Sequence, residues 1–166
     1  MLDDTLNLGD LAMQADKKVI EYLNQQLTYE LAAINQYFMH AKMQQNWGFK
    51  KLAEKIRAES IEEMKHAEHL MDRILFLEGI PNLQDLNKLN IGENVEEQLK
   101  LDLALEMQAA PPLREALQYC RNQGDDVSKA LFQKLLEDTE EHIDWIETQL
   151  ELIQKVGIHN YLQSHM

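Results

Sequence analysis

The sequence predicts an all-α fold, a bundle of four long helices with one long crossover and a short fifth helix at the C-terminus. Three observations carry this reading. Apolar residues recur at alternating steps of three and four over four separate stretches of roughly 30 residues, the period of one face of an α-helix. Six glycines and three prolines are too few for the many turns of an all-β fold. The breakers that do occur fall between the periodic stretches, with one exception at Pro111-Pro112. A chain of 166 residues is long enough to bury one core.

The first helix runs from about Asp16 to Asn46, with a seam of Leu23, Leu27, Glu30, Ile34, Tyr37 and Ala41. Gly48 separates it from a second, Phe49 to Glu78, whose seam is Leu52, Ile56, Glu59, Glu63, His66 and Leu70. Gly79 and Pro81 end that helix. The stretch 79–94, "GIPNLQDLNKLNIGEN", reads as an extended connection with Leu83, Leu86, Leu89 and Ile91 available for packing. A third helix, about Val95 to Gln123, aligns Leu99, Leu103, Glu106, Ala110, Leu113 and Leu117. Gly124-Asp125-Asp126 then breaks and restarts the chain. The fourth helix, Asp126 to Val156, aligns Phe132, Leu135, Thr139, His142, Ile146 and Ile153, and Gly157 stops it before a short segment, Ile158 to Gln163.

Helices of this length span about 45 Å. The short links at 46–49 and 123–126 require antiparallel neighbours, so the long connection must cross between the second and third helices. That is the ferritin-like arrangement of a four-helix bundle. Pro111-Pro112 removes two backbone donors inside the third helix, and a kink or distorted turn is expected there, close to Glu106. Residues 1–12 read as a loose acidic arm ahead of a bundle spanning 13–166, with Met13 as an alternative start.

A net charge of −13 disfavours nucleic acid and anionic membrane as partners and leans toward a cation-handling role. A single cysteine, Cys120, excludes an intrachain disulfide, fits a reducing cytosol and reads as a small buried hydrophobe. No run approaches the ~18 apolar residues of a membrane span. The acidic start lacks the basic and apolar regions of a signal peptide, so a cytoplasmic location is expected.

The seams contain residues that are costly to bury unpaired. Glu30, Glu63, His66, Glu106 and His142 all fall in register with core leucines. One such residue alone would read as a satisfied polar group in the core. Five, converging from four helices, point to a metal. Carboxylate-bridged di-iron bundles take one Glu from each of two helices and Glu-x-x-His from each of the other two. Glu30 and Glu106 supply the single glutamates, and Glu63 with His66 completes one Glu-x-x-His, whose members share a helix face. Such ligation suits iron, manganese or zinc. In "EDTEEHIDW" (137–145) the fourth helix offers His142, but Thr139 stands three residues before it where the second bridging glutamate belongs.

The stretches "ELAAINQYFMHAKMQQNWG" (30–48), "ESIEEMKHAEHLMDRILFLEGIPNLQDLNKLNIGE" (59–93), "DLALE" (102–106) and "EEHIDWIETQLELI" (140–153) resemble bacterioferritin, and the resemblance covers the chain from Met13 onward. It implies a hollow shell of 24 subunits that oxidises Fe²⁺ at di-iron sites within subunits and stores ferric mineral. It also implies haem b at twofold interfaces, its iron held by one methionine sulfur from each subunit. The ferroxidase ligands would be Glu30, Glu63, His66, Glu106 and His142, and the haem ligand Met64. Met64 follows Glu63 by one residue, about 100° around the helix, so it faces away from the metal seam. The resemblance further implies a small iron–sulfur ferredoxin as the reductant that releases stored iron.

Two residues depart from the pattern. Ala58 stands where some relatives place a histidine serving an inner-surface iron site, and Thr139 replaces a bridging carboxylate. A hydroxyl can neither bridge two cations nor offset their charge, so the second iron position is expected to be weak. The reading that follows is a haem-bearing storage subunit with a degenerate di-iron site, sharing shells with a second subunit type that carries the full set. Two alternatives remain. Asp138, Glu140 or Glu141 shifts to complete an active ferroxidase, or the polar seam is merely hydrogen bonded within a structural bundle.

Overall fold

Asp16 opens the described part of the chain, residues 16–166 of a computed structural model, and its carboxylate accepts the Lys18 backbone N–H at 2.9 Å. The expected arm at 1–12 and the alternative start at Met13 lie outside the described residues. Five helices follow: α1 Lys17–Asn46, α2 Lys50–Phe76, α3 Val95–Gln123, α4 Asp126–Val156 and α5 Ile158–Ser164. The described residues contain no strand, and none of their helices is long and apolar enough to cross a membrane. The four-helix bundle, the crossover and the short fifth helix are those read from the sequence.

Local chemistry sets the helix ends. Asn94 caps α3 by accepting from Glu97 N–H at 2.9 Å, and Asp125 caps α4 by accepting from Ser128 N–H at 3.0 Å. Between them Gly124, at φ 71°, ends α3 in a left-handed turn that residues with a Cβ adopt reluctantly. Arg73 near the end of α2 donates to both Asp125 and Ser128 at 2.9 Å, which fastens α2 to the start of α4.

Two apolar clusters fill the bundle. One gathers Leu23, Leu27, Leu70, Ile74, Leu113 and Phe132; the other gathers Tyr37, Leu52, Ile56, Leu99, Ile146 and Ile153. Cys120 is buried in the first cluster, where burial pushes its thiol up to about 11, as expected of an inert core cysteine. Tyr161 of α5 is buried against the second cluster and donates to Gln149 Oε1 at 2.9 Å.

One expectation needs correction. Leu83, Leu86, Leu89 and Ile91 are exposed on this chain rather than packed. The crossover is held instead by hydrogen bonds. Asn24 donates to Ile80 O and accepts from Asn82 N–H, Gln36 accepts from Asn90 N–H, and His40 Nε2 accepts from Gly92 N–H at 3.0 Å. With Nε2 accepting, His40 Nδ1 carries the hydrogen and donates to Asp102 at 2.9 Å, inside the bundle. In α3 the helix continues through Pro111 and Pro112. The carbonyls deprived of donors belong to Met107 and Gln108, both exposed, so water replaces the missing partners.

Gly92 approaches α3 closely: a methyl group there would lie 2.6 Å from the backbone nitrogen of Gln98. Gly92→Ala should therefore cost about 1–3 kcal/mol by overpacking and lower Tm by roughly 2–10 °C in calorimetry. An unchanged Tm would mean that the crossover is not seated against α3 as described.

Candidate metal centre

The two apolar clusters leave a gap at mid-bundle, and the five seam residues fill it from all four long helices. Glu30 comes from α1, Glu63 and His66 from α2, Glu106 from α3 and His142 from α4. Glu63 is the most exposed of the three carboxylates, at only 7%. Donor atoms of Glu30, Glu63 and His66 lie within 4.8 Å of one another, and so do those of Glu63, Glu106 and His142. The gap thus contains two adjacent three-donor positions that share Glu63.

Both imidazoles turn Nδ1 inward. His66 Nδ1 lies 2.9 Å from Glu63 and 3.5 Å from Glu30, and His142 Nδ1 lies 2.8 Å from Glu106. Their outer nitrogens differ. His66 Nε2 donates to Asp138 at 3.1 Å, and Lys134 holds the other Asp138 oxygen at 2.5 Å. His142 Nε2 is buried without a partner; the carboxylate of Glu59 lies 4.0 Å away, beyond hydrogen-bond reach. Tyr37 donates its hydroxyl to Glu106 and meets the His142 ring edge-on at 5.3 Å. Gln26 donates to Glu30 at 2.6 Å, leaving its own Oε1 buried and unpartnered.

Thr139 is buried in the same gap. A small cavity of about 10 Å³ is bordered by Thr139, Gln26, Glu30, Glu63 and Glu106. On the other side, a cavity of about 380 Å³ opens between α2 and α4 onto Glu63, His66 and His142. Asp138 does reach the centre from α4, but at the outer edge of His66. Met64 stands apart, 56% exposed on another face of α2, as its position after Glu63 requires, and Ala58 is exposed.

Sequence periodicity found the five residues and missed their supports. Tyr37 passed as an apolar seam residue, although its hydroxyl is the part that meets Glu106. Gln26 lies four residues before Glu30, one turn away on the same face. Gln36, His40 and Gln44 on α1, and Gln98, Asp102 and Glu106 on α3, are polar at steps of four and buried. That spacing was the available signal for a polar ladder between the two helices.

Burial and charge set the protonation of the centre. Burial raises Glu63, and the neighbouring charge of Glu30 raises it further, well above the usual carboxylate range. Glu30 resists its own burial because hydrogen bonds from Glu63 and His66 hold it low. Burial works against charge on His66 too, yet its bonds to Glu30 and Glu63 push it up to about 11. Without a cation the gap therefore balances its charge with protons on Glu63 and His66. Zn²⁺ added to the metal-free protein should release protons, and its affinity should rise with pH through the neutral range. Calorimetry in buffers of differing ionisation enthalpy checks this, and proton-neutral, pH-independent binding would contradict it.

Residues 20–156 match the ferritin-like domain family. The chain is 52% identical to a bacterioferritin of Mycolicibacterium paratuberculosis over 149 residues, which covers 90% of this chain and 94% of that protein. It is 52% identical to bacterioferritin BfrA of Mycobacterium tuberculosis, covering 87% and 91% of the two chains. A bacterioferritin of Brucella melitensis is 50% identical, with 91% and 94% covered. Together with a four-helix bundle whose mid-section collects carboxylates and imidazoles, this establishes that the chain belongs to the bacterioferritins, iron-storage proteins of the ferritin-like family.

Proposed function

We propose that this chain is a haem-bearing, storage-type subunit of a bacterioferritin shell, with a di-iron centre short of one carboxylate. Glu30, Glu63, His66, Glu106 and His142 are the residues that would hold Fe²⁺, which is both the ligand of the centre and the substrate to be oxidised and stored as ferric mineral. The donor set fits: three buried carboxylates and two imidazoles turned inward match the preferences of iron. Internal hydrogen bonds satisfy part of the seam, which is what a purely structural bundle would need. They do not account for two donor triads that share one carboxylate.

The observation that carries the proposal is Thr139, buried among Glu30, Glu63 and Glu106 at the place where a bridging carboxylate would stand. Its neutral hydroxyl cannot balance a second cation. Asp138 is a poor substitute, because reaching the gap would break its bonds to His66 and Lys134. The subunit then oxidises Fe²⁺ only weakly alone, and a second subunit type with the full ligand set would supply rapid oxidation in a mixed 24-subunit shell of the cytoplasm. The cavity between α2 and α4 gives Fe²⁺ a way in.

Met64 supports the haem part of the reading. Its thioether is exposed, with Ile61 exposed one turn earlier on the same face, an apolar strip suited to a second copy and a flat apolar cofactor. Haem b held there between two subunits would carry electrons inward from a small iron–sulfur ferredoxin.

Aerobic Fe²⁺ oxidation by the pure homopolymer, set beside Thr139→Glu, tests the centre. The unmodified protein should lack a fast phase, and Thr139→Glu should accelerate oxidation by at least roughly tenfold, the low end of what even an outer-shell partner contributes. Fast oxidation by the unmodified protein would sink the proposal. For haem, Met64→Leu should abolish the Soret signature of methionine ligation on reconstitution; a band identical to that of the unmodified protein would show that Met64 is not the ligand.

A further inference from the structure

The two halves of the centre are not equally supported. Glu30, Glu63 and His66 form one half. Gln26 donates to Glu30 Oε1 at 2.6 Å, which leaves Oε2 facing His66 Nδ1 at 3.5 Å. Asp138 accepts from His66 Nε2 at 3.1 Å, so the hydrogen that remains on a metal-bound imidazole is already held on the outer nitrogen. Lys134 in turn fixes Asp138 at 2.5 Å. A carboxylate behind an imidazole in this way sets its tautomer and ring orientation for a cation.

In the other half, Glu63, Glu106 and His142, Tyr37 donates to Glu106 as Gln26 does to Glu30, but no carboxylate stands behind the imidazole. His142 Nε2 has no partner, and Glu59 lies 4.0 Å off and is drawn to Lys55. Charge limits the number of cations as well. One dication beside Glu30 and Glu63 is balanced by two carboxylates. Two dications would meet only Glu30, Glu63 and Glu106, leaving one positive charge uncompensated in a buried site, which is strongly unfavourable. The charge of Asp138 is already engaged by Lys134.

We infer that this subunit's centre retains a single divalent cation, at Glu30, Glu63 and His66, and that Gln26 and Asp138 are the positioning residues of that half. The inference rests on the reading that the five seam residues bind metal. The cation would have three protein donors, with the α2–α4 cavity bringing water to the remaining position. Borderline divalent ions that accept mixed oxygen and nitrogen donors, Fe²⁺, Co²⁺ and Zn²⁺, are the matching class.

Co²⁺ is the probe, because its visible absorption reports coordination independently of turnover. Titration of the assembled, metal-free protein should saturate at one tight equivalent per subunit. Asp138→Ala should weaken it by about 10–100-fold and alter the spectrum. Asp138→Asn, whose amide oxygen can still accept from His66, should restore most of the affinity. Gln26→Leu should weaken binding in the same direction. Circular dichroism and shell size confirm folding of each variant. Two tight equivalents in the unmodified protein would overturn the one-cation inference while leaving metal binding intact. So would unaltered binding in Asp138→Ala, or loss of the tight equivalent in His142→Ala but not in His66→Ala. Absence of any Co²⁺ binding would overturn the metal-binding reading itself.

Discussion

Glu30, Glu63 and Glu106 are buried together at mid-bundle, and carboxylates placed so closely in a dry interior must be balanced by protons, hydrogen bonds or cations. Much of the surrounding structure answers to that constraint. Apolar clusters on either side provide the burial energy that tolerates a polar middle. Tyr37, Gln26 and Asp138 each reach one member of the centre from a neighbouring turn or helix. The gap is thus a held arrangement rather than an accidental meeting of charges.

Against this background Thr139 is a change of charge more than a change of shape. The residue is buried beside Glu30, Glu63 and Glu106, and its hydroxyl leaves the neighbouring packing nearly closed, with only a small cavity beside it. The rest of the helix, including His142, is retained. Under the proposed function, a subunit built this way suits storage better than rapid oxidation. Met64 and the crossover leucines are exposed on this chain. Under the proposed function, division of labour between subunit types would account for a centre that is kept folded yet lacks one ligand.

The fold was legible almost residue by residue, because long amphipathic helices repeat their signal over many turns. Gly124, Asp125 and Gly157 marked their ends through chemistry that depends on local sequence alone. The five central residues were legible for a related reason: glutamate or histidine in register with leucine is costly enough to need a cause. What escaped were contacts between elements. No pattern along α1 shows that His40 bonds the backbone of Gly92 or that Tyr37 reaches Glu106, since both depend on how α1, α3 and the crossover meet. The crossover leucines misled for the same reason, apolar character being visible in sequence and its burial partner not. Asp138 was legible as a reachable carboxylate, but only the packing of α2 against α4 shows that it meets the outer nitrogen of His66.

The central claim is that one missing carboxylate converts a two-iron centre into an asymmetric one. Anomalous diffraction at the iron edge, from crystals of the homopolymer loaded anaerobically with Fe²⁺, tests this by counting and locating the ions. The account requires a strong peak among Glu30, Glu63 and His66, with a far weaker one or none among Glu63, Glu106 and His142. Two peaks of equal height would contradict it.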